Sequence, residues 1–219
     1  GVFQETMGRI VEDGKDILCI SFSSALSTTY QSACIAAQDV MEAHPGSKVL
    51  VVDSRCASLG QGLLVYLTAQ KKKEGLSLEE LRDYVEDNKL HICHWFTVDD
   101  LNHLKRGGRV SAAAALVGTM LQMKPVLHVD DEGRLIPVSK VRGRKASLKA
   151  LVDKMEELVV DPSVVFISHG DCGDEARELG EAIKAKFPVE KLVINYVGPV
   201  IGNHSGPGTM ALFFLGSER

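Results

Sequence analysis

The sequence predicts an α/β fold in two parts: a parallel-sheet domain over residues 1–89 and a second α/β domain with a mixed sheet over residues 90–219. Three observations carry this. Strand-like and helix-like segments alternate through the first half, the order of a parallel sheet. The segment Lys48-Val49-Leu50-Val51-Val52-Asp53 is continuously apolar up to its aspartate, as in a strand covered by helices on both faces. From His91 the pattern changes, and Asp130-Asp131-Glu132-Gly133 reads as the turn of a hairpin, which a purely parallel sheet lacks.

Residues 2–12 read as a helix, 17–21 as a strand, 27–43 as a helix, 48–53 as a strand and 59–74 as a helix. The chain opens on its helix with no strand before it, so the first domain is expected to lack its opening strands and residues before Gly1 are expected. Ser77-Leu78-Glu79-Glu80 is a capping box, serine capping the helix start and Glu80 reaching back to it, and it leads a helix to residue 88 that closes the first domain. Then follow a strand at 91–97, a short helix at 98–104, a hairpin of 126–129 with 135–138, and a helix at 144–158. A strand at 164–169, a helix at 174–187, a strand at 191–197 and a closing helix at 206–215 complete the chain.

With 45% hydrophobic and 25% charged residues in a chain of 219, the composition is globular. A net charge of −4, with basic residues interspersed among acids, gives no footprint for nucleic acid. The longest apolar runs, 112–117 and 210–215, fall short of the ~20 residues of a membrane-spanning helix, so no stable membrane insertion is expected. No export-type leader opens the chain, which predicts a cytoplasmic protein. Cys19, Cys34, Cys56, Cys93 and Cys172 are scattered, with no Cys-x-x-Cys pair, and read as reduced thiols.

Three segments could carry chemistry. Ser21 to Thr29 joins a strand end to a helix start, where open α/β sheets place ligands and where hydroxyls and free N–H groups suit an anion. The structural alternative is that Ser27 only caps its helix. Leu104-Lys105-Arg106-Gly107-Gly108-Arg109 combines flexible glycines with cations and could aim Arg109 at an anion, or be a solvated basic loop. Gly198 to Thr209 packs four glycines and two prolines around His204, which could bind an oxyanion, shuttle a proton or cap a carbonyl.

His91, Cys93 and His94 alternate faces on a strand, so at most two could converge, and no metal site is expected. Ser168-His169-Gly170-Asp171-Cys172-Gly173-Asp174 follows a strand and opens a helix, again a place suited to a ligand, though Asp171 or Asp174 as a helix cap is the simpler account. Neither a Gly-x-Ser-x-Gly elbow nor a Walker-type loop is present.

Ser23-Ser24-Ala25-Leu26-Ser27-Thr28-Thr29-Tyr30-Gln31-Ser32-Ala33, Val52-Asp53-Ser54, Gly107-Gly108-Arg109-Val110-Ser111, Lys124-Pro125, Arg142-Gly143 and Ile201-Gly202-Asn203-His204-Ser205-Gly206-Pro207-Gly208, in that order, resemble the pattern of the DegV family. The resemblance implies a two-domain α/β carrier without catalytic residues or cofactor, holding one long-chain fatty acid between its domains. It also implies a separate fatty acid kinase as partner, which phosphorylates the carboxylate. It points to Ser24, Ser27 and His204 as head-group contacts and to Arg109 near the carboxylate, where it could face the kinase. Which serine hydroxyl makes the contact is left open. The family has glycine where this chain has Ala25 and Thr28, so the turn is expected to differ, and the family's Thr-Ser-Gln-Pro-Ser segment would fall before Gly1. Leu116, Met120, Leu121, Met123, Phe213 and Phe214 are candidate tunnel lining, equally readable as packed core. The alternatives are an enzyme using Arg109 and His204 on a small carboxylated or phosphorylated substrate, and a purely structural interaction module.

Overall fold

The computed structural model describes residues 1–111 and 122–219. The chain runs through α1 (Val2–Glu12), β1 (Ile17–Ser21), α2 (Thr29–Ala43), β2 (Val49–Asp53), α3 (Ser58–Lys73) and α4 (Leu78–Asn88). A short 3-10 turn leads to β3 (Ile92–Thr97), α5 (Leu101–Arg106), β4 (Met123–Val129), β5 (Leu135–Arg142) and α6 (Arg144–Leu158). Then come β6 (Val159–His169), α7 (Gly173–Lys186), β7 (Lys191–Tyr196), α8 (Pro199–Ser205) and β8 (Met210–Gly216). β1 and β2 form a small parallel sheet, and the other six strands form one mixed sheet in the order β5-β4-β3-β8-β6-β7.

The apolar character of β1 and β2 follows from burial on both sides. Ile17, Cys19 and Val49 face α1 and α2, where they meet Met7, Ala33, Ala37 and Val40. Leu18, Ile20 and Val52 face the other way, onto Leu63 and Leu64 of α3 and Val85 of α4. Leu63 and Leu64 are fully buried, each stabilising the fold by about 1.5–3 kcal/mol. The same core continues to Phe96, Phe166 and Phe213 of the large sheet, so α3 is a wall common to both sheets. The sheet's opposite face buries Trp95, Leu212 and Phe214 against Leu151 and Met155 of α6 and Leu179 and Ile183 of α7.

The expected closing helix at 206–215 is instead the strand β8, lying between β3 and β6. Met210, Leu212 and Phe214 enter one core while Ala211 and Phe213 enter the other. A short run apolar on both faces carries no periodicity to tell strand from helix, and burial between two strands decides it. The stretch before it, read as a loop, contains α8, with Gly198 at its N-cap and Pro199 in its first turn. β6 begins at Val159, ahead of the expected 164, because Pro162 is accommodated where the pairing with β8 shifts register. The N-cap of α7 is Cys172, with Asp174 inside the first turn, so neither proposed aspartate caps it. The capping box of α4 forms as expected, Glu80 N–H donating to Ser77 Oγ at 3.3 Å and Ser77 N–H to the Glu80 carboxylate at 2.8 Å.

Polar contacts tie the sheets together beside the shared core. Ser23 Oγ donates to the Gly133 carbonyl at 2.8 Å and Arg55 Nη1 to the Asp131 carbonyl at 2.7 Å, so the β4–β5 turn rests on the loops that follow β1 and β2. Arg219 donates to the carbonyls of Lys89 at 2.7 Å and Asp130 at 2.9 Å. Among the described residues no helix is long and apolar enough to cross a membrane.

Candidate ligand-binding cleft

A cavity of about 390 Å³ lies between the sheets, within the range of ~300–1,000 Å³ usual for small-molecule sites. Its floor is one face of the large sheet. His94 stands opposite Phe213, and Phe96 opposite Ala211; one strand further on, Ala211 pairs with Ser168. The opposite wall comes from the turn after β1, with Leu26, Ser27 and Thr29, and from Ala57 and Ser58 at the start of α3. α8 supplies Val200, Ile201 and His204.

The turn after β1 is built by Asp53 at the end of β2. Its carboxylate accepts from Ser24 N–H at 3.1 Å, Ser24 Oγ at 2.5 Å and Arg55 N–H at 3.0 Å. The N–H groups of Leu26 and Ser27 then both reach the Ser23 carbonyl. Ala25 and Thr28, where the family has glycine, need no left-handed backbone: Thr28 has φ −76° and Ala25 is not among the positive-φ residues.

Three of the four sequence-derived site residues meet in one cluster. Arg109 Nε donates to the Leu26 carbonyl at 3.1 Å, and its Nη1 donates to the carbonyl of Gly107. Ser27 Oγ lies 2.8 Å from Thr29 Oγ1 and accepts from the Thr29 N–H. The His204 imidazole lies against Gly107, so close that a methyl group on Gly107 would fall 2.1 Å from Nδ1. Ser27, Arg109 and His204 all line the cleft. Ser24 is not part of the lining, its hydroxyl being engaged by Asp53.

The three metal-type candidates go separate ways. His91 Nδ1 faces the Gly216 carbonyl at 3.2 Å and Cys93 Sγ the Glu218 carbonyl at 3.0 Å. His94 Nε2 accepts the Ala57 N–H at 3.2 Å, which puts the ring proton on Nδ1, where it donates to the Ile92 carbonyl at 2.8 Å. Burial holds the pKa of His94 well below the usual histidine value, and the Arg219 guanidinium pushes it the same way, so it is a neutral wall of the cleft. Among the described residues no three metal-ligating side chains cluster.

Of the proposed tunnel residues, Phe213 lines the cleft, Phe214 is buried in the core on the other side of the sheet, and Met123 is not part of the lining. Leu116, Met120 and Leu121 lie outside the described residues. Sequence reasoning missed Ser58, weighed His94 only as a metal ligand, and placed Ser168 in a segment suited to a ligand without singling out its hydroxyl. A hydroxyl just past a strand end and a lone histidine inside an apolar strand were the available signals.

Fold and site define a two-sheet α/β protein with a largely apolar cleft between its sheets and a cluster of hydroxyl, guanidinium and imidazole groups in the cleft wall. The chain belongs to the DegV family, whose model, described as "Uncharacterised protein, DegV family", matches residues 1–217. It is 48% identical over 219 residues to a DegV domain-containing protein of Clostridium perfringens, covering 99% of this chain and 75% of that one. Among solved structures it is similar to a DegV family protein of Thermus thermophilus described by its fatty acid binding, with 33% identity, a TM-score of 0.85, and coverage of 96% of this chain and 74% of that one. It is also similar to a DegV lipid-binding protein of Thermotoga maritima, with 29% identity, a TM-score of 0.84, and coverage of 99% and 75%.

Proposed function

We propose that this chain binds a long-chain fatty acid in the cleft between domains 1–89 and 90–219, with its carboxylate at the Ser27–Arg109–His204 cluster. It then presents that carboxylate to a cytoplasmic fatty acid kinase for phosphorylation. The observation that carries the reading is the pairing of an apolar floor, Phe96, Ala211 and Phe213, with one contiguous cluster of anion-compatible groups. Lipid and fatty acid binding by the similar Thermotoga and Thermus proteins supports it.

Burying the acyl chain contributes about 0.8 kcal/mol per methylene, so the tail supplies most of the affinity. The hydroxyl of Ser27, the imidazole of His204 and the charge of Arg109 then fix the head, since hydrogen bonds to a charged group are stronger than those between neutral groups. Arg109 is exposed and also lines the cleft, so it can meet both the carboxylate and a kinase docked over it.

Denaturing lipid extraction of freshly purified protein, followed by mass spectrometry, tests the reading. A stoichiometric long-chain acid is the expected result. Protein that is empty as purified and takes up no added fatty acid would sink it. The kinase step is tested separately by adding such a kinase and ATP to the loaded protein and looking for acyl phosphate.

A further inference from the structure

Two hydroxyls on the cleft wall serve neither the head group nor the fold in any ordinary way. Ser58 opens α3 without capping it, since the N-cap position belongs to Ala57 and has no side-chain cap bond. Ser58 Oγ lies instead 3.0 Å from Ser168 Oγ, across from α3 to the end of β6. Ser168 is fully buried, and both residues line the cleft. Ser58 also has φ 52°, a conformation that is unfavourable for any residue but glycine, asparagine or aspartate. The bond from Ala57 N–H to His94 Nε2 anchors the preceding residue. The fold therefore holds a half-buried serine in strained backbone geometry and turns its hydroxyl to the buried hydroxyl of Ser168.

Counting hydrogens shows what this leaves over. The pair has two hydroxyl protons and one mutual bond, so one proton has no acceptor among the described residues. Ser205, 4% exposed and also on the lining, has an Oγ that is buried without a partner. A buried hydroxyl such as that of Ser205 is rarely left unpaired unless a ligand or water completes it, and the half-buried Ser58 hydroxyl lines the cleft, where a ligand or water can take the spare proton. A plain methylene cannot do so.

We propose that the Ser58–Ser168 pair is a polar subsite for an oxygen substituent on the acyl chain, so that the favoured ligand is an oxygenated fatty acid, above all a hydroxy acid. The inference rests on the fatty-acid reading of the cleft and narrows it. A chain hydroxyl accepts the spare serine proton and donates its own to an oxygen lone pair of the pair. An unsubstituted chain leaves those groups dry, and sites built to bond a ligand hydroxyl discriminate strongly against the analogue lacking it.

The test is a competition of octadecanoic acid against 10-hydroxy- and 12-hydroxyoctadecanoic acid on the full chain, read by displacement of a fluorescent fatty acid. At least one hydroxy isomer should bind about tenfold more tightly than octadecanoic acid. The double variant Ser58→Gly with Ser168→Ala should lose that preference; glycine is chosen because it tolerates the positive φ. Equal affinities for the three acids, or a preference that survives in a folded double variant, would overturn the subsite and leave the fatty-acid reading standing. If none of the three acids bound, both would fall. The comparison on the unaltered chain decides by itself if the double variant does not fold.

Discussion

Gly107 and His204 occupy the same space: the imidazole fills the position that a side chain on Gly107 would take, with Nδ1 2.1 Å from where its first carbon would lie. Glycine is required here by close approach. Gly107→Ala must push the ring away, and its backbone, at φ −73°, accepts alanine readily. The expected outcome is a loss of fatty acid affinity of about tenfold or more, the worth of a hydrogen bond to a charged group, with stability nearly intact. Gly8→Ala, in α1 with nothing within 4 Å, is the control and leaves binding unchanged. Retained affinity in Gly107→Ala would show that His204 does not hold the head group.

The two neighbouring serines are predicted to separate by phenotype. Ser24 donates to Asp53 at 2.5 Å, whereas Ser27 faces the cleft with Thr29. Ser24→Ala should lower stability by about 1–2 kcal/mol with little change in ligand affinity, and Ser27→Ala should do the reverse. Asp53→Ala removes the acceptor of three bonds and should cost more than Ser24→Ala, about 2–4 kcal/mol. Urea unfolding and fatty acid titration of the three variants check this, and a binding defect confined to Ser24→Ala would reverse the assignment.

Local signals made most of the fold legible. The Ser77–Glu80 box, the apolar strand ending at Asp53 and the acidic turn before β5 each act within a few residues, and each appears where the sequence places it. β8 was not legible as a strand, because Met210 to Leu215 is apolar on every face and only its neighbours β3 and β6 make it one. The cleft divides in the same way. Ser27, Arg109 and His204 sit in short polar motifs that mark candidate segments, and the family resemblance is what singles the residues out. The Ser58–Ser168 contact joins residues 110 positions apart, and nothing near either serine announces the other. His94 was visible only as a possible metal ligand, since its partner, the Ala57 N–H, belongs to another element.

The neutral state of His94 makes stability depend on pH. Its folded pKa lies well below the ordinary value near 6.5, at which the unfolded chain takes up the proton. Stability is therefore full above about pH 6.5 and is lost as the pH falls below it, at no more than about 1.4 kcal/mol per pH unit from this one group. Burial moves His128 in the same direction. Urea unfolding between pH 7.5 and 5 should show this decline, and His94→Gln, which removes the titration, should flatten it. An unchanged slope in that variant would refute the linkage. Gly60→Ala tests the same contact sterically, because its methyl would lie 2.0 Å from His94 Nε2, and it should be strongly destabilising at every pH.

Cys56 and Cys93 should be the slowest thiols to react. Burial pushes Cys56 up to about 11 and Cys93 up to about 12, so at pH 8 both are thiols and neither is a nucleophile. Iodoacetamide at that pH should spare both in native protein and label all five cysteines in urea, as read by peptide mapping. Arg219 separates electrostatics from access as the cause. Its Nη2 lies 3.1 Å from Cys56 Sγ and its charge opposes the upward shift, while its bonds to the carbonyls of Lys89, Ile92 and Asp130 hold the surrounding loops closed. In Arg219→Ala the loss of charge alone would slow labelling of Cys56, and the loss of the bonds would speed it. A buried thiol reacts only when its cover opens, so access dominates and labelling should accelerate. Slower labelling in the variant would mean that the loops stay shut without the guanidinium and that its effect on the thiol is chiefly its charge.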